Sequence, residues 1–430
     1  MYRIKELCAP VRFGLTDHKK HKELGLAENN SGTRMSKVPM SSPDLTDAER
    51  EAVAAVLRTP NLSMGGEILA FEESFRQYTG SRHAIGVSSG TAGLHMCVRA
   101  AGIGDQDGAY SDLVITTPFS FVASSNVLLF ERAVPIFVDV DPLSGNLSVE
   151  QVQSAARDLV AGGLAARMWL PRRGIAKKFR LKALLPVHVF GQPADMDPLL
   201  EIGRSYNLPI IEDACEALGA RYRDRLAGTL GDYGVYAFYP NKQITTGEGA
   251  VIVTNNDQAA ALLSALRNQG RAPGDTWLQH THLGYNYRLD EMSAALGRVQ
   301  MNRIQELIAK REMVAGWYQQ RLGEIPGIDI PFLAPTTTRM SWFVYVVRFA
   351  PEFDRDDLAR RLGERGIPAR PYFLPIHLQP YMAAQFGYRP GDFPVTEDLG
   401  RRGLALPFSG VMSEEQVETV CRALRELLAA

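Results

Sequence analysis

Hydrophobic and polar residues form two kinds of segment that alternate along the chain from about residue 81 onward. Short apolar runs typical of buried strands are separated by longer amphipathic stretches typical of helices. The apolar runs are residues 83–89, 112–118, 134–140, 183–191, 208–213, 234–239 and 250–255. Near-continuous apolar strands that alternate with helices indicate a mainly parallel sheet covered on both faces. The pattern therefore predicts a large, doubly wound α/β domain.

Spacing and capping signals mark the other elements. Thr46 precedes Glu49 by three residues, which is the pattern of a capping box, and Ser413 precedes Gln416 in the same way before the last helix. Residues 291–325 carry a helical pattern without interruption, and we expect one long helix there. Residues 341–350 are apolar and β-branched, which predicts a strand.

The chain divides into parts of different composition. Residues 1–40 are polar, and we expect a flexible N-terminal arm. Residues 41–315 hold the alternating pattern and form the predicted large domain, while residues 316–430 are expected to form a smaller α+β domain. Residues 162–182 are a basic insertion in the large domain. A solvated surface segment explains that insertion, and a site for an anionic substrate or partner is the alternative.

Composition and charge narrow the class of protein. The chain has 47 Lys plus Arg against 48 Asp plus Glu, which argues against a dedicated binder of nucleic acid or membrane surfaces. Its cysteines are widely separated and form no metal-binding or disulfide pattern, so we expect reduced thiols and no metal site. They are Cys8, Cys97, Cys215 and Cys421. The N-terminus lacks the apolar core of a signal peptide, and a cytoplasmic enzyme is the prediction.

Three features of the large domain suggest chemistry, and the first is a turn. Ser89, Gly90 and Thr91 lie between a predicted strand and the start of a helix. Such a helix N-terminus binds phosphate readily, although a tight turn with a helix cap explains the same residues. The segment is neither GxGxxG nor GxxxxGK[ST], so a dinucleotide-binding or P-loop protein is not indicated.

The second and third features are a carboxylate and an amine. Asp213 ends a buried strand, and α/β sheets keep their sites at the carboxyl ends of strands. A buried carboxylate is costly unless it meets a cation, although a helix N-cap also explains an Asp at this point. Lys242 follows the next strand in a loop of small and apolar residues. That environment favours a nucleophilic amine, with an exposed loop lysine as the alternative.

The three features together match the needs of pyridoxal 5′-phosphate (PLP). This cofactor requires a phosphate anchor, a carboxylate that keeps the pyridinium nitrogen protonated, and an amine for the Schiff base. Asp213 would be the carboxylate, and Lys242 would serve first as the amine and then as the base that moves the substrate proton. The sequence therefore predicts a PLP enzyme with Lys242 and Asp213 as its catalytic residues.

From residue 41 to 430 the chain resembles the DegT/StrS-type sugar aminotransferases of aspartate aminotransferase fold type I. The matching segments include GVSSGTAGLH, IIEDACEALGA, AFYPNKQITTGEGA and LGYNYRLDEMSAALGRVQ. The resemblance implies PLP as the cofactor, glutamate as the amino donor and a nucleotide-linked keto-deoxy sugar as the acceptor, as in a perosamine synthase. It also implies a homodimer with shared active sites.

The resemblance implies further roles by position. Phe121 would stack on the cofactor ring, Glu216 would contact its 3′-oxygen, and Asn286 would reach the phosphate from the partner subunit. Four residues are expected near the substrate pocket: His188, Arg288, Tyr372 and His377. The chain departs from the family at Ala237, where many members have a Ser that binds the phosphate. Residues 89–91 and Asn286 must then hold the phosphate more fully.

Two other functions are possible on the same scaffold. A PLP-dependent sugar dehydratase typically has His where this chain has Lys242. A regulatory or binding protein has no chemical need for Lys242, Asp213 and the phosphate turn together. A sugar aminotransferase is therefore the leading prediction.

Overall fold

A computed structural model of the protein describes residues 38–104 and 109–429. The predicted arm over residues 1–40 lies outside the described residues except for its last three. The α-helices are α1 (Asp47–Leu57), α2 (Gly66–Thr79), α3 (Gly90–Ala100), α4 (Ala123–Phe130), α5 (Val149–Ala161), α6 (Gly163–Arg167), α7 (Met196–Tyr206), α8 (Asp257–Arg267), α9 (Glu291–Asn302), α10 (Ile304–Leu322), α11 (Arg355–Glu364), α12 (Pro380–Phe386), α13 (Pro394–Arg402) and α14 (Glu414–Leu428). The strands are β1 (His83–Val87), β2 (Ser111–Thr116), β3 (Val134–Phe137), β4 (Phe179–Leu185), β5 (Ile211–Asp213), β6 (Arg221–Tyr222), β7 (Arg225–Leu226), β8 (Tyr233–Ala237), β9 (Ala250–Thr254), β10 (Ile328–Asp329), β11 (Thr337–Arg339), β12 (Tyr345–Phe349), β13 (Arg370–Pro371) and β14 (Gly403–Leu406).

The strands of the large α/β part form two sheets that meet edge to edge. One has the order β1-β9-β8-β5, in which β5 and β8 are parallel and β9 runs antiparallel to both of its neighbours. The other has the order β3-β2-β4 and is parallel throughout. They meet where Leu184 and Val187 form parallel bridges to Ile210 and Asp213. The prediction of a mainly parallel α/β architecture is confirmed.

Helices cover this strand layer and set the position of the turn at residues 89–91. The layer is packed by apolar residues from α3 and α8 in one cluster and by residues from α2 in another. Helix α3 approaches the strands closely at Gly93, where an added Cβ would lie 2.7 Å from Val235 Cγ1. Only a residue without a side chain allows this approach, which fixes the start of α3 against β8.

A further sheet, antiparallel throughout, lies in the C-terminal part of the chain. Its order is β10-β12-β14-β13, and it shares a buried core with α10, α11 and α14. Val314 and Tyr318 of α10 are fully buried in this core. The predicted domain boundary at residues 315–316 therefore falls inside a helix, and the division into a large and a small domain stays a prediction.

The predicted long helix over residues 291–325 is wrong, because the chain breaks into α9 and α10 at Arg303. That residue has φ −103° and ψ 5°, outside the helical region. Its guanidinium forms ion pairs with Asp44 and Glu49 at 2.8 Å each, which ties the break to α1. Both helices are buried along one face, so their apolar pattern runs through the break without interruption. The capping box of α1 at Thr46 and Glu49 is confirmed.

Two predicted strands have different bounds. Strand β12 begins at Tyr345, because Ser341 and Phe343 donate their backbone N–H groups to Gly191 and Phe190 instead of to a sheet. Strand β4 ends at Leu185, and Pro186 follows. It begins inside the basic insertion, at Phe179. No helix in the described ranges is both long and apolar enough to cross a membrane.

Candidate active site

The predicted functional residues converge because parallel strands end at the same edge of the sheet. Strand β1 leads into the turn before α3, β5 ends in Asp213, and β8 leads into the loop that carries Lys242. Strands β5 and β8 are neighbours, with Asp213 in register with Val235. The topology therefore places the turn, the carboxylate and the amine at one edge.

Asp213 is a buried carboxylate that accepts hydrogen bonds from neutral groups. Its side chain is only 5% exposed. Ser124 donates its hydroxyl to Oδ2 at 2.6 Å, and the backbone N–H of Cys215 donates to Oδ1 at 3.1 Å. Within residues 38–104 and 109–429, no basic side chain forms an ion pair with this carboxylate. Asp213 is therefore held in a fixed orientation, with its charge available to a cationic ligand.

Lys242 lies between a carboxylate and an aromatic ring. Its Nζ is 3.8 Å from Glu216 Oε1 and 3.7 Å from the centroid of the Phe343 ring. Burial raises the pKa of Glu216 to about 6, although the nearby amine opposes that shift. The other Glu216 oxygen accepts the backbone N–H of Phe190 at 2.9 Å. The amine thus lies beside a carboxyl that is mostly ionised at neutral pH and takes up its proton as the pH falls through about 6.

The turn at residues 89–91 packs tightly against β8. Ser89 caps α3 and accepts the N–H of Ala92 at 3.1 Å. The preceding amides, those of Gly90 and Thr91, have no partner within the helix. An added Cβ on Gly90 would lie 2.9 Å from the Ala237 Cβ and 3.0 Å from the Cys215 Sγ. Ala237, the residue at which the chain departs from the family pattern, therefore faces this turn directly.

Phe121 presents a free aromatic face beside Asp213. The side chain is 63% exposed, although large aromatic residues are usually mostly buried. It precedes Ser124 in the turn after β2, and Ser124 is the residue that binds Asp213. Phe121 thus offers a flat, exposed apolar face three residues before the group that binds the carboxylate, and such a face suits a planar ring.

Asn286 is exposed on an anchored segment and does not contact Asp213 or Lys242 within the described part of the chain. Its neighbours Tyr285 and Tyr287 stack on each other with their ring centroids 4.8 Å apart. Arg288 forms a backbone bridge to Val87, and its Nη1 donates to Asn268 at 3.0 Å. The segment therefore lies along β1, with the Asn286 side chain available to a second molecule.

Tyr372 is the predicted substrate residue that the structure brings nearest to Lys242. Its ring centroid lies 6.4 Å from that of Phe343 and 6.2 Å from that of Phe190. Burial and the nearby Glu216 charge raise the pKa of Tyr372 to about 12, so its hydroxyl stays protonated at neutral pH. Its side chain also hydrogen-bonds to Asn241, the residue before Lys242, so Tyr372 lies beside the loop that carries the amine.

The two predicted substrate histidines have partners inside the fold. His188 is fully buried, with Nε2 2.9 Å from Glu212, and its Nδ1 accepts the N–H of Ala194 at 3.0 Å. His377 is also fully buried, and its Nε2 lies 2.9 Å from Glu397. Both ring nitrogens of His188 are thus bonded inside the fold, whereas the buried Nδ1 of His377 has no hydrogen-bond partner among the described residues. Substrate contacts by either histidine stay a prediction.

Two residues near the site have no signal in the sequence. Ser124 is one serine among several after β2, and its bond to Asp213 depends on where β2 and β5 end. Phe343 lies about a hundred residues after Lys242, and only the fold brings them together. Neither spacing nor composition distinguishes such residues.

Comparison with known proteins identifies the family. Residues 43–425 match the DegT/DnrJ/EryC1/StrS aminotransferase family. The chain belongs to this family. The DegT/DnrJ/EryC1/StrS members similar to it include GDP-perosamine synthase of Caulobacter vibrioides, which is 35% identical over 398 residues, 92% of this chain and 99% of that protein. The predicted resemblance is confirmed, and the chain is an aminotransferase.

Two further relatives of this chain are informative about its cofactor and its fold. The putative pyridoxal phosphate-dependent aminotransferase EpsN of Bacillus subtilis is 31% identical over 395 residues, 91% of this chain and 96% of EpsN. The crystal structure of DesV from S. venezuelae, in complex with a ketimine intermediate, superimposes with a TM-score of 0.79. It is 32% identical and covers 92% of this chain and 99% of DesV.

Proposed function

We propose that this protein is a PLP-dependent aminotransferase that transfers the amino group of glutamate to a nucleotide-linked keto-deoxy sugar. The observation that carries the proposal is the buried Asp213 carboxylate, which forms no ion pair within residues 38–104 and 109–429 and lies at the same sheet edge as the Lys242 amine. The names of GDP-perosamine synthase and EpsN support the substrate class and the cofactor.

The residues of the site fit the cofactor. The turn at residues 89–91 would hold the phosphate with its helix N-terminus, because the Gly90 and Thr91 amides have no partner within the helix. The exposed Phe121 ring would lie against the pyridine ring, and Asp213 would hold the proton of its nitrogen. When bound, PLP supplies an electron sink for the bonds of the substrate α-carbon.

Each protein group then has a defined part in the reaction. Ser124 and the Cys215 amide fix the orientation of the Asp213 carboxylate, which would hold the proton of the cofactor's ring nitrogen. Lys242 would hold the cofactor through its amine, and the same amine would serve as the base for a proton at the substrate α-carbon. The Phe343 ring limits the directions open to the Lys242 Nζ, and Glu216 Oε1 lies 3.8 Å from it.

We infer that two copies of the chain complete each other's sites. Asn286 would reach the cofactor phosphate of the partner, because its exposed side chain contacts neither Asp213 nor Lys242 of its own chain. The loop before it carries large apolar side chains that are about four-fifths exposed: Trp277, Leu278 and Leu283. Side chains of this kind mark a surface that another molecule covers.

The Lys242→Ala substitution tests the proposal. We expect it to abolish amino-group transfer and to remove the visible absorbance of lysine-bound PLP at about 420 nm, because no other amine replaces that of Lys242. A variant that kept the band would disprove the assignment of Lys242. Transfer of nitrogen from labelled glutamate to the sugar, measured on the wild-type protein, separates an aminotransferase from a dehydratase.

A mixed-dimer experiment tests the shared site. Lys242→Ala and Asn286→Ala chains would be combined, since each is inactive or weak alone. One site of the mixed dimer then carries both changes and the other carries neither, so activity should partly return. The Asn286→Ala protein alone should bind PLP about ten- to a hundredfold more weakly than wild type, because it loses one hydrogen bond to a charged group. Mixed dimers that form but stay inactive would place Asn286 outside the partner's site.

A further inference from the structure

Arg311 of α10 is a buried cation whose hydrogen-bond partners are all backbone carbonyls. The residue is only 4% exposed, and no acidic side chain in the described part of the chain pairs with it. Its Nη1 and Nη2 donate to the carbonyl oxygens of Asn241, Lys242, Trp342 and Phe343. Burial lowers the pKa of this guanidinium to about 10, so it stays charged at neutral pH.

These carbonyls belong to the two segments that surround the Lys242 amine. Nη2 binds the backbone of Lys242 and of the residue before it, while Nη1 binds the backbone at Trp342 and Phe343. The Phe343 ring is the one that lies 3.7 Å from the Lys242 Nζ. A guanidinium is planar and rigid, so its two nitrogens set the distance between the segments. The base of the Lys242 side chain and the ring at its tip are thus fixed by one group.

We propose that Arg311 is a positioning residue for Lys242, which it holds at the distance and angle needed for covalent binding of the cofactor and for proton transfer. The proposal rests on the proposed function of Lys242 as the reactive amine. Without Arg311, Gln243 would still tie the loop to the Glu216 carbonyl at 2.6 Å. The loop would therefore stay in place, while the Nζ would lose its fixed position relative to Phe343.

A purely structural role is the competing explanation, and the chain offers a matched control for it. Arg355 is 7% exposed and donates from Nη1 to the carbonyl oxygens of Gly400 and Gly403 at 3.1 and 2.6 Å. It ties α11 to α13 and β14 and contacts neither Lys242 nor Phe343. Arg355→Gln also removes a buried guanidinium from backbone carbonyls, together with its ion pair to Asp356 at 2.6 Å, and leaves the Lys242 amine untouched.

The experiment compares Arg311→Gln, Arg311→Lys, Arg355→Gln and Lys242→Ala with the wild-type enzyme. For each chain, three quantities are measured: the thermal midpoint, the rate at which added PLP develops its lysine-bound absorbance in the cofactor-free protein, and kcat and KM with the sugar substrate. Arg311→Gln should lower both the rate of absorbance development and kcat by about ten- to a hundredfold, with a smaller change in KM, because the amine is displaced. Arg311→Lys, which keeps the charge and some of the bonds, should fall between.

The controls make the outcomes distinct. Arg355→Gln should lower the thermal midpoint without slowing the development of the absorbance. If Arg311→Gln behaves in the same way, the proposal is overturned, while the function of Lys242 is left intact. Lys242→Ala retaining the absorbance would overturn the proposed function, and with it the role of Arg311. If Arg311→Gln does not fold, Arg311→Lys decides, and wild-type rates of absorbance development and turnover in that variant would refute the proposal.

Discussion

Glu216 should make the stability of the protein depend on pH in a way that Glu216→Gln removes. Burial raises the pKa of this carboxyl from 4.5 to about 6 in the folded chain. The folded state therefore binds the proton more tightly, and the resulting stability is fully present below pH 4.5 and is lost as the pH rises through 6. Raising the pKa from 4.5 to about 6 corresponds to a free energy of about 2 kcal/mol. Above pH 7, the ionised Glu216 thus destabilises the fold by that amount.

Glutamine cannot ionise, so the free energy of unfolding of Glu216→Gln relative to wild type should rise by about 2 kcal/mol between pH 4.5 and pH 8. Denaturant unfolding of the cofactor-free proteins measures this difference, since bound PLP would add its own linkage. Glu248→Gln, an exposed residue of the Lys242 loop, is the matched control and should show no such change. A difference for Glu216→Gln that is constant across this range, or that falls as the pH rises, would refute the reasoning.

The remaining predictions concern the carboxylate and the phosphate turn. Asp213→Asn should lower kcat by about a hundredfold or more while PLP stays bound, because an amide does not keep the ring nitrogen protonated. Titration with PLP measures cofactor binding, and turnover at saturating PLP measures kcat. Near-normal turnover would contradict the role of Asp213. Gly90→Ala should weaken PLP binding at least about tenfold, because its Cβ would lie within 3.0 Å of Ala237 and Cys215 and would displace the turn. Gly66→Ala, at the first position of α2 with no atom within 4 Å, is the control, and equal PLP affinity in both variants would rule out the turn as the phosphate site.

The sequence predicted the parts of the site that lie at the ends of strands. Asp213 and the turn at residues 89–91 follow apolar runs that any parallel sheet would bury, so their convergence follows from the pattern itself. Lys242 follows β8 for the same reason. The family and the fold class, inferred from these residues and their neighbouring motifs, are confirmed.

The contacts around those residues could not be predicted in the same way. The break between α9 and α10 depends on the ion pairs of Arg303 with Asp44 and Glu49, which are about 250 residues away in the chain. His188 lines up with a motif near the substrate pocket, yet its side chain turns toward Glu212 inside the fold. A sequence pattern shows which face of an element is apolar, but not which distant polar group a buried side chain meets.

The antiparallel strand β9 has a consequence for the order in which the protein can assemble. It pairs with β1 on one side and β8 on the other, so Val87 meets its partner Ala250 only after about 160 further residues have been synthesised. Until then β1 and β8 both have unpaired edges, which are prone to join other chains. Closing so long a loop is also slow. A nascent chain that stops before β9 should therefore aggregate, and the site at the edge of the sheet forms late in folding.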